Sequence, residues 1–305
     1  MERRYTILNV FTGESQGGNP LAVVVDSEGL DTQAMQAIAR QFNLSETVFV
    51  RPPQGPAHTA AIRIFTPELE LPFAGHPTVG TAIHLAQSRV WKQTGGECDA
   101  LVVLEAPAGV LRVGVEPGAS GAPFAQFDAP FLPQDAGEAA PNDRLGAALG
   151  LSPHEIGFEN HRPWRYSAGS TFTFVPVDGL DAIGRAQIVD QHWEEAFGSN
   201  ARAADAYLYC RDTVRHKAAF HARLFAPSMG IREDPATGSA AVAFAGMIHR
   251  FDELPEGLYE GMIEQGLEMG QPSEVFLEFE VENRNIRVVR IGGHAVVAKE
   301  GTIEA

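Results

Sequence analysis

The chain has 305 residues, 44% of them hydrophobic and 20% charged, which is the composition of an ordinary globular protein with enough length for two domains. Its 39 acidic residues outnumber 23 basic ones and give a formal net charge of −16. This excess of negative charge excludes nucleic acid and anionic membrane surfaces as expected partners, because their phosphates would be repelled.

The cysteines and the apolar runs bound the class of protein further. Cys98 and Cys210 are too few for a disulfide framework, and no segment has the spacing of a zinc site. The chain starts directly with a strand-like run that lacks the apolar core of a signal peptide, and no apolar run is long enough to span a bilayer. We therefore expect a cytoplasmic protein with no metal site and no membrane partner.

The N-terminal part predicts strands around one helix. Strands are predicted at residues 5–10, 21–25, 47–50 and 59–65. The loop 12–20 is rich in glycine and other turn residues. Asp31 is predicted to cap a helix that ends near Asn43, because apolar residues recur between them at helical spacing.

Two segments carry the same motif, x-Pro-x-x-Gly-(Thr/Ser)-Ala. They occupy residues 73–82 and 232–241. The polar residue before the proline is His76 in the first motif and Asp234 in the second, and an Arg-x-Phe-x-Pro run precedes each motif. Other paired segments recur at nearly the same offset. This pattern indicates a duplicated unit and hence two homologous lobes.

Each motif leads into an unusual helix. Residues 78–86 and 236–248 have hardly any polar face, and a helix that is apolar all round is buried all round. Both helices are too short to cross a membrane, and the neighbouring segments are strand-like. We predict an α+β fold with two pseudo-symmetric lobes, each a curved, mostly antiparallel sheet or barrel around a central buried helix.

The lobe boundary is predicted at a stretch rich in proline and glycine, residues 116–123. The N-terminal lobe is expected to comprise residues 1–118 and the C-terminal lobe residues 119–305. A second polar run, 133–142, is predicted as an exposed loop. Residues 287–303 predict a last strand or two, which could pair with the N-terminal lobe.

The two helix starts suggest anion binding. Proline is favoured in the first helical turn and Asp at the N-cap, so His76-Pro77 and Asp234-Pro235 are predicted to open their helices. Helix N-termini offer unpaired N–H groups and partial positive charge, which suit a small carboxylic acid. Taken singly, an ordinary cap and a structural histidine explain the same residues. Their duplication at two buried helices favours the functional interpretation.

Glu46 is a third candidate, because it lies where a helix hands over to a strand. Its counterpart in the second lobe is predicted near Asp205. A buried carboxylate with a raised pKa could move a proton at neutral pH. The residues alone do not distinguish Glu46 from a solvated acidic side chain.

Four segments in order resemble the PhzF-like family of phenazine biosynthesis, within the diaminopimelate-epimerase-like superfold. They are residues 10–12 with 18–24, 44–49, 73–82 and 233–240. The resemblance implies two lobes with an active site between them, an isomerase that needs no cofactor or metal, and a homodimer. It makes Glu46 the catalytic acid/base, with His76 and Asp234 as partners in catalysis. The residues that it implies around the substrate are Ser45, Gly75, Gly238 and Ser239.

The chain departs from the related two-thiol racemases, because neither helix start carries a cysteine. Racemisation by two thiols is therefore not expected. The resemblance implies instead that one glutamate moves a proton between carbons of a small carboxylic acid, as in the isomerisation of trans-2,3-dihydro-3-hydroxyanthranilate. The alternative is a non-catalytic protein that binds a small molecule on the same scaffold.

Overall fold

The computed structural model describes residues 2–94, 98–118, 121–198 and 204–304. The chain divides into two compact units. Unit 1 comprises Met1–Pro130 with Ile291–Ala305, and unit 2 comprises Phe131–Arg290. This division differs from the boundary predicted after residue 118, because the strand Phe124–Asp128 still pairs with Gly109–Glu116. Residues 119 and 120 of the predicted linker lie outside the described residues.

The described residues form strands along most of the chain. They are β1 (Glu2–Val10), β2 (Asn19–Val24), β3 (Glu46–Arg51), β4 (Ala60–Phe65), β5 (Glu70–Leu71), β6 (Ala100–Ala106), β7 (Gly109–Glu116), β8 (Phe124–Asp128), β9 (Gln134–Glu138), β10 (Trp164–Ser167), β11 (Thr171–Pro176), β12 (Asp205–Cys210), β13 (Ala218–Phe225), β14 (Glu233–Asp234), β15 (Gly257–Gln265), β16 (Ser273–Glu282) and β17 (Asn285–Glu304).

Helices interrupt the strands. They are α1 (Thr32–Phe42), α2 (Gly75–Leu85), α3 (Trp91–Thr94), α4 (Asn142–Leu149), α5 (Gly179–Arg185), α6 (Asp190–Phe197) and α7 (Gly238–Phe251). A π-helical turn, Ala86–Val90, links α2 to α3, and 3-10 turns occur at Pro153–Glu155 and Pro227–Met229. Within the described part of the chain, no helix combines the length and the apolar character needed to cross a membrane.

Unit 1 is a closed barrel around α2. Its pairings run in a circuit through β1, β2, β3, β4, β6, β7, β8 and β17 and back to β1. The β2–β3 and β4–β6 pairs are parallel. All residues of α2 are buried, and the helix contacts strands on several sides. Gly80 permits this close approach, because an added Cβ would lie 2.6 Å from Val10 Cγ2 and 2.7 Å from Leu21 Cδ2.

Unit 2 repeats the pairing pattern of unit 1. Successive pairs of β10, β11, β12, β13, β15 and β16 are antiparallel, parallel, antiparallel, parallel and antiparallel. The pairs among β1, β2, β3, β4, β6 and β7 have the same sequence of directions. On α7, Phe244 packs against rings from β11, β12 and β13, namely Phe174, Tyr207, Tyr209 and Phe220. The predicted fold class, with its two pseudo-symmetric lobes, is confirmed.

Outer helices show which strand faces point inward. In unit 1, α1 packs on Phe49 of β3 and Phe65 of β4, so this side of the sheet is the outer one. Because side chains alternate along a strand, Glu46 and Val48 lie on the inner face with α2. In unit 2, α4, α5 and α6 cover the outer face of β11 and β12, where Leu208 is buried.

Local signals at α1 agree with the structure. Asp31 is the N-cap, and its Oδ1 accepts a hydrogen bond from the Ala34 N–H at 2.8 Å. Asn43 closes the helix with a left-handed φ of 51°.

Residues 133–142 were predicted as an exposed loop, and this prediction is wrong because β9 lies within them. Pairing with β10 and a 2.7 Å hydrogen bond from Trp164 Nε1 to Asp135 Oδ1 stabilise this polar strand.

The repeated Arg-x-Phe-x-Pro runs supply matching ion pairs. Arg63 donates from Nε and Nη2 to the two carboxylate oxygens of Glu70, at 2.7 and 2.6 Å. Arg223 does the same to Glu233, at 2.8 and 3.0 Å. In both units this pair joins the fourth strand of the pattern to a short strand, which lies just before the motif in unit 1 and at its start in unit 2.

Candidate active site

Unit 1 brings Glu46 and His76 together. Glu46 is the first residue of β3, beside Leu21 of β2, and its side chain lies on the inner face. His76 lies in the first turn of α2. Glu46 Oε2 is 3.3 Å from His76 Nδ1, and the two side chains are only 12% and 3% exposed. A carboxylate and an imidazole that the sequence separates therefore form one buried pair.

The start of α2 is close to its prediction. The helix begins at Gly75, one residue before His76, and its N-cap is Ala74, which has no capping side chain. Pro77 falls in the first turn, where a missing N–H costs little. Thr78 Oγ1 donates a 2.8 Å hydrogen bond back to the Ala74 carbonyl. His76 is thus held on a rigid element with the first-turn N–H groups beside it.

Asn19 also lies next to this pair, although it is not among the site residues predicted from the sequence. It begins β2 opposite Val10 and is fully buried. Its Nδ2 lies 3.4 Å from His76 Nδ1 at hydrogen-bonding geometry. The available signal was the Gly18-Asn19-Pro20 sequence, which places a polar side chain at the start of an otherwise apolar buried strand.

Burial keeps the His76 ring neutral. It lowers the pKa of His76 to about 3, so the imidazole carries one proton at neutral pH. His76 Nε2 is buried without a hydrogen-bond partner among the described residues. Most buried polar atoms have a partner, so an unpartnered ring nitrogen in this pair is typical of a site that receives a ligand or water.

Asp234 lies in unit 2 as the last residue of β14, paired with Leu224, and is buried. Its Oδ2 accepts a 2.5 Å hydrogen bond from Thr237 Oγ1. Gln265 Nε2 donates to the Asp234 carbonyl at 2.8 Å. These contacts hold the segment between β14 and α7 in an irregular conformation.

The predicted helix start at Asp234-Pro235 is wrong. α7 begins at Gly238, and Thr237 is its N-cap. Strand pairing with β13 holds Asp234, while Thr237 and Gln265 occupy its polar groups, so it does not cap the helix. The two motifs match in sequence, but α2 includes its histidine and α7 excludes its aspartate.

The remaining predicted site residues flank these groups in the chain. Ser45 is half-buried directly before β3, and Gly75 is the first residue of α2. Gly238 is the first residue of α7, and the half-buried Ser239 follows it. Their part in substrate binding remains a prediction.

Asp205 is the counterpart of Glu46, because each begins the strand paired in parallel with its neighbour. Its carboxylate accepts hydrogen bonds from Ser228, 2.6 Å from Oγ and 3.2 Å from the backbone N–H. Burial raises the pKa of Asp205, although the bonds from Ser228 oppose this shift. The carboxylate of Asp205 is therefore hydrogen-bonded to a serine, whereas the corresponding carboxylate of Glu46 lies beside a histidine.

Unit 2 also contains a buried polar network that the sequence did not indicate. His161 Nδ1 is 2.8 Å from Tyr209 Oη, and its Nε2 is 2.7 Å from Asp252 Oδ1. Arg211 donates to the same Asp252 oxygen at 2.5 Å. Arg211 and Asp252 line a cavity of about 200 Å³ whose other walls include Phe220. Asp252 caps the C-terminal end of α7, so this cavity is remote from Asp234.

The thiols lie outside the motifs. Cys98 is exposed, and Cys210 is the buried last residue of β12, where burial raises its pKa to about 12. Over residues 2–94, 98–118, 121–198 and 204–304, no group of three or more His, Cys, Asp or Glu side chains is arranged to hold a metal ion.

Comparison with known proteins places the chain in a family. The family described as phenazine biosynthesis-like protein (PhzC-PhzF) matches residues 8–301. A protein of Mesorhizobium japonicum named an uncharacterized isomerase is 51% identical over 99% of this chain and 98% of its own. The trans-2,3-dihydro-3-hydroxyanthranilate isomerase of Pseudomonas aeruginosa is 33% identical over 98% of both chains.

A solved structure supports the same assignment. The Bacillus anthracis phenazine biosynthesis protein of the PhzF family superposes with a TM-score of 0.87 at 26% identity, and the match covers 100% of both chains. The fold and the relatives agree with the resemblance carried by the four sequence segments. The chain belongs to the phenazine biosynthesis-like PhzC-PhzF family and is an enzyme of the isomerase class.

Proposed function

We propose that this isomerase moves a proton between carbons of a small carboxylic acid without a cofactor, and that Glu46 is its catalytic acid/base. The observation that carries the proposal is the buried pair in unit 1, in which Glu46 Oε2 lies 3.3 Å from Nδ1 of His76. A carboxylate on a rigid strand next to a neutral imidazole can accept a proton and return it.

The chemistry needs no net change of charge or oxidation state. Glu46 removes a proton from a substrate carbon next to an activating group, and the C–H electron pair moves into the conjugated system of the substrate. The protonated Glu46 then delivers the proton to a second carbon of that system. The neutral His76 ring supports the protonated form of Glu46, and the N–H groups at the start of α2 stabilise negative charge that develops on the substrate.

Asp234 is proposed as a separate helper that relays protons or binds substrate. Its buried carboxylate accepts a 2.5 Å hydrogen bond from Thr237 Oγ1, which orients it. Ser45, Gly75, Gly238 and Ser239 are proposed as hydrogen-bond donors to the substrate. A carboxylate substrate would suit these donors.

The first compound to test is trans-2,3-dihydro-3-hydroxyanthranilate, the substrate in the name of the relative from P. aeruginosa. Turnover in D₂O should place deuterium at the carbon that receives the proton, after dialysis against EDTA as well as before. Glu46→Gln should abolish both exchange and isomerisation, whereas the exposed Glu300→Gln should leave them unchanged. Thermal shift should show that Glu46→Gln still binds the compound.

Other outcomes are equally informative. Exchange at the wild-type rate in Glu46→Gln would contradict the assignment of Glu46. Activity that is lost with EDTA and restored by a metal would contradict the cofactor-free mechanism. Binding of small carboxylic acids without exchange in the wild type would favour a non-catalytic role for the site.

A further inference from the structure

We propose that Asn19 is a positioning residue that holds His76 in the tautomer with its proton on Nε2. The inference rests on the proposed function in one respect, namely that Glu46 and His76 act together on a substrate. The tautomer itself is a property of the free protein. It therefore can be measured whether or not the substrate is known.

The amide of Asn19 defines the direction of the hydrogen bond. Asn19 Nδ2 lies 3.4 Å from His76 Nδ1, and an amide nitrogen can only donate. The ring nitrogen that receives this bond must carry a lone pair. Because burial keeps the imidazole neutral, its single proton is then on Nε2.

The backbone around Asn19 makes this donor rigid. Asn19 pairs with Val10 at the end of the β1–β2 ladder. The preceding Gly18 has a φ of +74°, and a Cβ there would lie 2.6 Å from the Val10 carbonyl oxygen. The side chain of Asn19 thus starts from a tightly constrained turn and is fully buried. A constrained donor can select one tautomer of its neighbour.

The Nε2 side of the ring shows what this tautomer would offer a substrate. His76 Nε2 has no hydrogen-bond partner among the described residues and is buried. A buried N–H without an acceptor is costly, so a ligand that supplies an oxygen at this point would gain a hydrogen bond. A substrate carboxylate or carbonyl has the required acceptor chemistry.

The tautomer also affects Glu46. With a lone pair on Nδ1, an ionised Oε2 at 3.3 Å faces a second acceptor, and protonation of Glu46 removes this repulsion. The Asn19–His76 bond therefore favours the state in which Glu46 has already taken a proton from carbon. Asn19 acts through His76 and does not itself touch the reacting atoms in this scheme.

Nitrogen-15 NMR of the histidine ring tests the inference directly. Protein labelled with ¹⁵N at histidine should show His76, assigned by the loss of its signals in His76→Gln, with a protonated Nε2 and an unprotonated Nδ1 at pH 7. Asn19→Asp replaces the donor by an acceptor and should invert the tautomer. Asn19→Leu should give a mixture, and Asn9→Leu, which loses a bond to the Ser15 carbonyl instead, should leave His76 unchanged.

The activity arm separates this inference from the proposed function. Deuterium exchange should fall at least about tenfold in Asn19→Asp and Asn19→Leu, mainly in kcat, and remain near the wild-type rate in Asn9→Leu. A proton on Nδ1 of the wild-type ring would overturn the inference even if Glu46 proved essential. The predicted tautomer without any Glu46-dependent exchange would leave the inference standing and refute the proposed function.

Discussion

Glu46 and Asp205 begin corresponding strands of the two units, but their carboxylates have different partners. Glu46 Oε2 is 3.3 Å from His76 Nδ1, and Asp205 Oδ2 is 2.6 Å from Ser228 Oγ. Both side chains lie on the inner face of their strand. The environments of the two carboxylates therefore differ because of the neighbouring side chain and not because of strand position. The corresponding carboxylates thus have different neighbours, an imidazole beside Glu46 and a hydroxyl beside Asp205.

Asp205→Asn should preserve activity. The amide keeps an oxygen acceptor for Ser228 and removes a carboxyl whose pKa burial raises, so we expect a change in unfolding free energy of less than about 1 kcal/mol. Urea denaturation and the deuterium-exchange assay measure the two effects. A loss of turnover comparable with that of Glu46→Gln would contradict a purely structural role for Asp205.

Thr237→Val should lower turnover through Asp234. The substitution keeps the shape of the side chain and removes the hydroxyl that donates to Asp234 Oδ2 at 2.5 Å, so the carboxylate loses its orientation. We expect about a tenfold fall in kcat for Val and recovery to near the wild-type rate for Thr237→Ser. Equal rates for all three proteins would show that this hydrogen bond does not contribute to catalysis.

Gly80→Ala should destabilise unit 1 by about 1–3 kcal/mol, because the new Cβ would meet Val10 and Leu21 inside 3 Å. Gly184→Ala in α5 is the matched control, since nothing lies within 4 Å of its added Cβ and alanine favours a helix. Thermal unfolding compares the two variants. A Gly80→Ala protein as stable as Gly184→Ala would contradict the close packing of α2.

His221 should make stability depend on pH. Burial lowers its pKa, but hydrogen bonds and charges of Glu268 and Glu264 outweigh burial, and the net pKa is raised. A raised pKa in the folded state stabilises the protein below the unfolded value near 6.5, and this contribution disappears as the pH rises through the folded pKa. His221→Gln should therefore lower the free energy of unfolding most at pH 6, by about 3 kcal/mol, and by less at pH 9. Urea titrations at the two pH values measure the difference.

His76→Gln is the opposite control for this experiment. The folded-state pKa of His76 is about 3, below its unfolded value, so the wild type loses stability as the pH falls from 6.5. As the pH falls from 6.5 to 5, the free energy of unfolding of the variant should rise by about 2 kcal/mol relative to that of the wild type. Parallel pH dependence in the two variants would contradict the environments assigned to these histidines.

Arg223→Met should destabilise more than Arg63→Met. Beyond its pair with Glu233, Arg223 Nη1 donates to the Ile183 and Ala186 carbonyls at 2.8 and 2.9 Å and joins α5 to β13. Its side chain is only 8% exposed, against 21% for Arg63. We expect Arg223→Met to lower the free energy of unfolding by about 3–5 kcal/mol and Arg63→Met to lower it by less, as measured by chemical denaturation. The reverse order would show that the carbonyl contacts are unimportant.

The sequence by itself determined the local elements and the duplication. Asp31 caps α1, the all-apolar helices are the buried centres, and the paired motifs mark two lobes, because capping and burial follow from residue types at fixed spacing. The four family segments were also sufficient to identify the family, because this assignment depends only on the order of residues.

Only the tertiary structure decided which polar groups meet. The start of α7 at Gly238, the strand β9 in a polar run, and the partner of Asp205 all depend on contacts with residues remote in the chain. The contact of Asn19 with His76 joins residues 57 positions apart. Local periodicity carries no information on such pairs, because their energies arise from desolvation and hydrogen bonding that exist only after the chain has folded.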